Sequence, residues 1–533
     1  MAGLLGIGQS ALMAAYAQLQ TTGHNIANAN TPGYSRQEAV FATAGGTYTG
    51  GGFLGMGVDL VTVQRSYDRF LAGELASSTA ASSADSTRAA YLERLQRVLA
   101  SGDDGIGAAI DDLNAALADV VNRASDPTAR EVVVQRADTL AQRIRNADSQ
   151  MAALGRDADD QIANAAGRVN ELLTQFAGLN GRISAVQASG HAPNDLLDER
   201  DRVLLQLNEY MKVTALAQDD GTVNLFAAGG EGLLVGTRAA ALVVGADPSD
   251  PSKQRVSLQN GTATMPMSAD SFGGGSIAGW MNFRDQDLAQ TRGALAKLAG
   301  DIAQTYNDRQ KLGVDAAGAA GKDMFAIGSS GVDFRSALDS GSELAAAWPV
   351  TAQLGAGNKG ALKISSFDLA GATSASAVTI TFDTAATYRI VGLPGGTVTG
   401  SYVSGATIAQ DGWSLTLRGT PVVGDEVEIV PNASPGTDGR NARAMITESA
   451  PLTDSFATMV GEIGARTQSA QASRTASAGL LSNAQAAQAE VSGVNLDEEA
   501  ARLMQYQQMY QAAAKVIQAA QSMFDSLLAA TAR

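Results

Sequence analysis

Histidine is the side chain most often used to move a proton near neutral pH, and this chain of 533 residues has two, His24 and His191. His24 stands beside a helix stop, and His191 lies in a Gly190-His191-Ala192-Pro193 turn. Neither has partners at the spacing that a Ser-His-Asp triad or a zinc site requires. With no cysteine in the sequence, disulfides, thiolate ligands and thiol catalysis are absent together. Gly321-Lys322 invites comparison with a phosphate loop, but Ala316 stands where the first glycine belongs and Asp323 where Ser or Thr would hold magnesium. Gly50-Gly51-Gly52 and Gly55-Met56-Gly57 are loop glycines without the βαβ setting of a dinucleotide fingerprint. The densest carboxylate cluster, Asp195, Asp198, Glu199 and Asp201, alternates with Arg200 and Arg202. That alternation predicts a salt-bridged helix face in preference to a cation site. The chain therefore reads as a non-enzyme with no catalytic residue, no metal and no cofactor.

Composition narrows the partners. The formal net charge is −16 and no basic run occurs, which argues against nucleic acid and anionic membrane. Hydrophobic residues make up 45% but aromatics only 5%, so the core is expected to be Ala, Leu and Val, as in long helices and plain β-domains. Residues 2–17 are apolar, yet no Lys or Arg precedes Arg36, and Gln9, Ser10, Gln18 and Gln20 interrupt the run. Neither a cleaved secretory signal nor a membrane span is expected. The lack of thiols suits a chain exported unfolded.

The elements come next. Leu5, Leu12, Leu19 and Ile26 recur every seven residues, with Tyr16 and Gly23 between them, an a/d-type seam on one helix. It ends at Asn28-Ala29-Asn30-Thr31-Pro32-Gly33-Tyr34, where Pro32 forbids continuation. Leu496, Leu503, Tyr510, Ile517 and Phe524 repeat the spacing at the other end, with Tyr506, Ala513, Ala520 and Leu527 filling the +3 places. Asp497, Glu498 and Glu499 occupy the first turn, where carboxylates complement the helix dipole. Each stripe is narrow, so each helix needs a partner to be stable. Packing on the body of the same chain and packing between subunits both satisfy that need. Between the ends, the pattern predicts helices over Gln64 to about Ala100, Ile106–Val121, Pro127 to about Ala188, Leu196–Tyr210, Ile277–Tyr306 and Asn441 onward. Hairpins are expected around Asp219-Asp220-Gly221 and Asn260-Gly261. Val378–Phe382, Trp413–Leu417 and Glu426–Val430 alternate as strands.

The fold class expected is mainly α with a β insert, in a nested multi-domain architecture. Residues 1–63 and 485–533 are terminal coiled-coil assembly segments, with the N- and C-terminal helices paired. Residues 64–324 and 438–484 form a helical middle domain with β-hairpins, and 325–437 an inserted all-β outer domain.

Four segments carry a family resemblance. Asn25–Gln37, which includes Asn28, Asn30, Pro32, Gly33 and Tyr34, is similar to the N-terminal signature of flagellar rod, hook and hook-associated proteins. Pro193–Asp201, with Asn194, Asp195, Asp198, Arg200 and Asp201, and Gly279–Asp285 resemble segments of the hook-associated protein 1 family that rod and hook proteins lack. Ser492–Ala500, with Gly493 and Asn495, continuing through Tyr506–Ile517, resembles that family's C-terminal motif. The resemblance implies a subunit of the ring between hook and filament, secreted through the flagellar type III apparatus by an uncleaved signal. It implies self-association in that ring and contacts with hook protein and hook-associated protein 3. It also implies an export chaperone on the C-terminal helix. Another axial protein such as hook protein, or a secreted adhesin or enzyme carried by the insert, remain the alternatives.

Overall fold

The structure is a computed structural model and describes residues 2–49, 52–99, 102–188, 192–251, 253–328, 331–374 and 376–531. His191 and Gly50-Gly51 lie outside the described residues. Among the described residues the α-helices are α1 (Ala2–Asn28), α2 (Arg69–Leu99), α3 (Ile106–Asn122), α4 (Pro127–Gln187), α5 (Asn194–Tyr210), α6 (Ala269–Phe272), α7 (Gly275–Asn282), α8 (Ala289–Leu312), α9 (Arg440–Ser492) and α10 (Leu496–Thr531). The chain forms two compact units, Met1–Leu92 with Gly155–Gln286 and Thr467–Arg533, and Glu93–Leu154 with Asp287–Arg466. The middle domain expected over 64–324 and 438–484 is thus shared between both units.

In the first unit α1 ends where the sequence predicts, and Gly33 takes φ +75° in the turn that follows. The chain then forms an antiparallel ribbon, Gln37–Thr43 against Val58–Arg65. Its last residues occupy the start of the helix expected from Gln64. Helix α2 begins only at Arg69, where the Asp68 carboxylate accepts from the Phe70 and Leu71 amides at 2.8 and 3.2 Å. That is N-capping, and it sets the start. The predicted hairpins form: Val213–Ala217 pairs with Val223–Ala227, and Gln254–Asn260 with Ala263–Pro266. Both belong to small antiparallel sheets over a core of Val169, Phe176 and Ile183 from α4, Val203 and Leu207 from α5, and Leu225, Val256 and Phe272.

In the second unit, Ile110, Leu113 and Leu117 of α3, Ile144 of α4 and Leu295, Ile302 and Tyr306 of α8 are buried. The insert is two antiparallel sheets. The larger orders its strands Val350–Leu354, Glu426–Pro431, Val378–Thr384, Thr387–Val391 and Val398–Ser401; the smaller orders Lys363–Leu369, Trp413–Arg418 and Thr407–Gln410. Strand alternation sends Val378, Ile380, Phe382, Trp413, Leu415, Leu417, Val427 and Ile429 into one shared core. That core begins at Trp348, whereas residues before it are tied to helices. Arg130 Nη1 donates to the Leu344 carbonyl, Gln310 Nε2 to that of Glu343, and Asn441 Nδ2 to that of Ala345. The self-contained β core is therefore shorter than the 325–437 expected.

Candidate functional site

The terminal helices pack on each other. A Cβ on Gly8 would come within 2.8 Å of Ile517, and Asn25 Nδ2 donates to Glu499 Oε2 at 3.2 Å. The near end of α1 thus meets the far part of α10, and the pair is antiparallel. The same register sets Ala15 across from Tyr510 and Leu12 across from Ala513. On α1 the buried line is Gly8, Ala15, Thr22 and Asn25, with Leu5, Leu12, Leu19 and Ile26 half-buried beside it. On α10 the line is Glu499, Ala513 and Ala520, flanked by half-buried Leu503, Tyr506 and Ile517. Small residues against large ones let the two backbones approach closely.

Several expected seam residues are exposed. Tyr16, Leu496 and Phe524 are 53%, 50% and 50% exposed, and Tyr510 is 37% exposed. Tyr16 points off the seam. Phe524 lies on the seam line of α10, but α1 runs out opposite it, so the antiparallel register leaves it uncovered. The Leu527 side chain lies outside the described residues. Further apolar side chains that no stripe in the sequence flagged are also exposed: Met13, Met509, Val516 and Met523 on the two helices, Met56 just before the ribbon's second strand, and Leu60 and Val61 on it.

A polar lock holds the base of this pair. Asn25 is 1% exposed and satisfied on both sides. Its amide donates to the Gln37 carbonyl (2.9 Å) and to Glu499, and its carbonyl accepts from the Gln37 amide (2.9 Å) and the Tyr34 hydroxyl (2.7 Å). Burial, and the carboxylates of Asp198, Asp195 and Glu499, push the Tyr34 phenol above its ordinary pKa, so it stays the donor. Glu499 is itself 1% exposed, with Oε1 3.6 Å from Arg502 Nη1. It is a buried seam residue seven places before Tyr506, not a solvated first-turn carboxylate.

The Pro193–Asp201 segment closes the lock. Asp198 Oδ2 accepts from the Ser35 amide at 3.0 Å, and Arg65 Nη1 donates to Asp198 Oδ1 at 2.8 Å and Asp201 Oδ2 at 2.6 Å. Gln37 Nε2 donates to Asp195 at 3.4 Å, and Asn194 Nδ2 to the Val63 carbonyl at 2.8 Å. The expectation of a face paired within itself is corrected here. Asp198 and Asp201 bind Arg65 of the ribbon, Arg200 turns inward to the Gly221 carbonyl at 2.8 Å, and the Arg202 side chain lies against Gly33. A Cβ on Gly33 would sit 2.4 Å from Arg202 Cγ. Burial would lower the Arg65 pKa, but the two carboxylates outweigh it and raise it; burial pushes Asp201 up, with Arg65 holding it back. The three charges sit in one largely buried hydrogen-bonded set, where losing Arg65 leaves both carboxylates uncompensated.

The C-terminal motif joins the same point. Arg36 N donates to the Ser492 carbonyl at 2.8 Å and Ser66 Oγ to that of Val491 at 2.9 Å. Gly493 leaves no room for a Cβ, which would meet the Ala489 carbonyl at 2.3 Å. Asn495 caps α10 by accepting from the Asp497 amide at 3.0 Å. Asn28 caps nothing of this lock and donates back to the His24 carbonyl at 3.0 Å, while Asn30 and Pro32 are exposed on the turn. Arg65 is the member that sequence reasoning missed, because an arginine at a strand end carries no pattern of its own. Among the described residues no group of three or more His, Asp or Glu could hold a metal ion.

Comparison with known proteins agrees with the layout of the motifs. The family models named "Flagella basal body rod protein" and "Flagellar basal body rod FlgEFG protein C-terminal" match residues 5–34 and 485–530. The model of the flagellar hook-associated protein FlgK helical domain matches residues 92–325. Flagellar hook-associated protein 1 of Escherichia coli (strain K12) is 31% identical over 573 residues, spanning 99% of this chain and all of its own. The Bacillus subtilis (strain 168) protein of that name is 24% identical over 97% of this chain and 96% of its own. Among solved structures, the flagellar hook junction protein FlgK from Burkholderia pseudomallei shares the fold with a TM-score of 0.70 at 24% identity, covering 79% of this chain and 100% of that one. On that full-length similarity, the chain belongs to the flagellar hook-associated protein 1 family.

Proposed function

We propose that this chain is a structural subunit of the bacterial flagellum, forming the junction ring between hook and filament. The observation that carries the reading is the terminal pair itself: two helices locked to the body at one end, with large apolar side chains left uncovered along both. A helix surface of this kind is stable in water only if another surface covers it. Residues 1–63 and 485–533 are then the assembly segments, and the seam and lock residues hold them in the conformation that neighbours recognise. The chain self-associates in a ring and meets hook protein on one side and hook-associated protein 3 on the other. It leaves the cell through the flagellar type III apparatus, with an export chaperone on α10 beforehand. The insert is an outer domain without a role in the joint.

Deletion of the gene is the test. Cells lacking the chain should build hooks, and shed filament subunits into the medium, and labelled antibody should mark wild-type flagella only where hook meets filament. Attached filaments in the deletion strain would overturn the reading.

A further inference from the structure

Two apolar surfaces of the first unit lie on different faces of the terminal pair and share one geometry. On α10, Met509, Val516 and Met523 are 44%, 41% and 45% exposed and stand seven residues apart, with Ala512 and Ala519 between them. The stripe flanks the line that faces α1: Val516 Cγ1 would lie 3.5 Å from a Cβ on Gly8, and the outer side of the stripe stays exposed. On α1, the face turned away from α10 borders a groove of about 920 Å³ closed on its other side by the ribbon. Its helical wall repeats Gly6, Met13 and Gln20 seven apart, with Ser10 and Ala17 between them. Met56, two residues before the ribbon's second strand, and Leu60 on that strand, 52% and 49% exposed, form the opposite rim.

Resting on the junction reading, we infer that the Met509–Met523 stripe of one copy lies in the α1–ribbon groove of a second copy. Length is the first argument. Stripe and groove wall each span fourteen steps of helix, about 21 Å at ~1.5 Å per residue. Register is the second: both repeat in sevens, the spacing that lets knobs of one helix enter holes of another. The groove wall supplies Gly6 and Ala17 as holes and the stripe supplies methionines, which adapt to irregular walls. Charge is the third. Helix α1 has no charged side chain, the ribbon wall of the groove carries Asp59, and between Leu503 and Phe524 α10 has only Lys515, so each half brings a single charge and the two are opposite in sign. Because stripe and groove occupy different faces of the same unit, the contact is head-to-tail. Every copy offers one half and receives the other, which generates rings or helical arrays and not closed two-fold dimers.

The absence of cysteine makes the test clean. Met13→Cys and Val516→Cys variants are produced together in one flagellated strain in place of the unmodified chain. Isolated flagella are oxidised and analysed without reductant. The expected result is a covalent dimer containing one of each variant, seen only in the mixed strain, with Ala17→Cys and Ala512→Cys giving the same outcome one turn away. The inference is overturned if both chains are present in the flagella and neither pair yields the mixed dimer. Val516→Cys dimerising alone would overturn it too, since two stripes would then face each other, as would a link to a chain of different mass. Absence of the unmodified chain from flagella would instead remove the junction reading, and this contact with it.

Discussion

Asn25→Asp changes one atom's chemistry at the centre of the lock and keeps its shape. The Tyr34 hydroxyl and the Gln37 amide still find an acceptor, but the amide nitrogen that donated to the Gln37 carbonyl at 2.9 Å and to Glu499 Oε2 at 3.2 Å becomes a carboxylate oxygen facing both. Two unit charges there repel by about 5 kcal/mol at an effective dielectric of ~20. The protein escapes by keeping one proton between the two oxygens. Holding a carboxyl with an ordinary pKa near 4 protonated at pH 7 costs about 4 kcal/mol, at ~1.4 kcal/mol per pH unit. The sign follows from proton uptake. The folded state then binds one proton more than the unfolded state between pH 4 and 7, so stability falls as pH rises through that window and is restored toward pH 4. Segment-resolved hydrogen exchange on the full chain reads the effect. Amides of α1 and α10 should lose protection by about a thousandfold at pH 7, recover it near pH 4, and recover it at pH 7 when Glu499→Gln is added. Amides of the insert should not change. A loss independent of pH, or one that Glu499→Gln fails to rescue, would refute the assignment of Glu499 as the buried partner of Asn25.

Ile517→Asp and Leu12→Asp place carboxylates on the α1–α10 seam, and both should abolish incorporation into flagella while the thermal transition of the second unit stays at its wild-type temperature; export is scored separately in the medium. Because Val350 pairs with Pro431 and Asn432 N donates to the Pro349 carbonyl at 2.9 Å, the β core enters and leaves at adjacent points. Replacing 350–431 by a short linker should therefore leave motility intact, whereas removing all of 325–437 strips the partners from Arg130, Gln310 and Asn441 and should give insoluble protein. Asp425, 1% exposed, accepts from the Val422, Lys359 and Gly360 amides, and these hold its carboxyl below the usual range. Its contribution is complete above pH 4 and lost as pH falls through the lowered value. Asp425→Asn should destabilise the insert by about 1–3 kcal/mol for the amides left unpaired and flatten that acid dependence, as followed by tryptophan fluorescence.

Periodicity in the sequence determined which parts of this chain are helix and which are sheet. Seven-residue repeats marked α1 and α10, Pro32 marked the stop after α1, and strict alternation in Val378–Phe382 and Trp413–Leu417 marked the insert's core. These signals are local, and burial of one face enforces them wherever the partner comes from. The direction and register of the terminal pair were not legible, because a heptad records that a helix has a partner and says nothing of which end meets which. Antiparallel packing made Gly8, Ala15 and Thr22 the contact line and left Phe524 without α1 opposite it. It also turned Glu499 from a dipole-complementing surface charge into a buried acceptor. The lock was hidden for a similar reason. Asn25, Tyr34, Arg65, Asp198 and Glu499 lie up to 474 positions apart in the chain, and no spacing rule connects them. Only folding brings a strand-end arginine, a helix carboxylate and an asparagine into one dry space, where each must satisfy the others because water cannot.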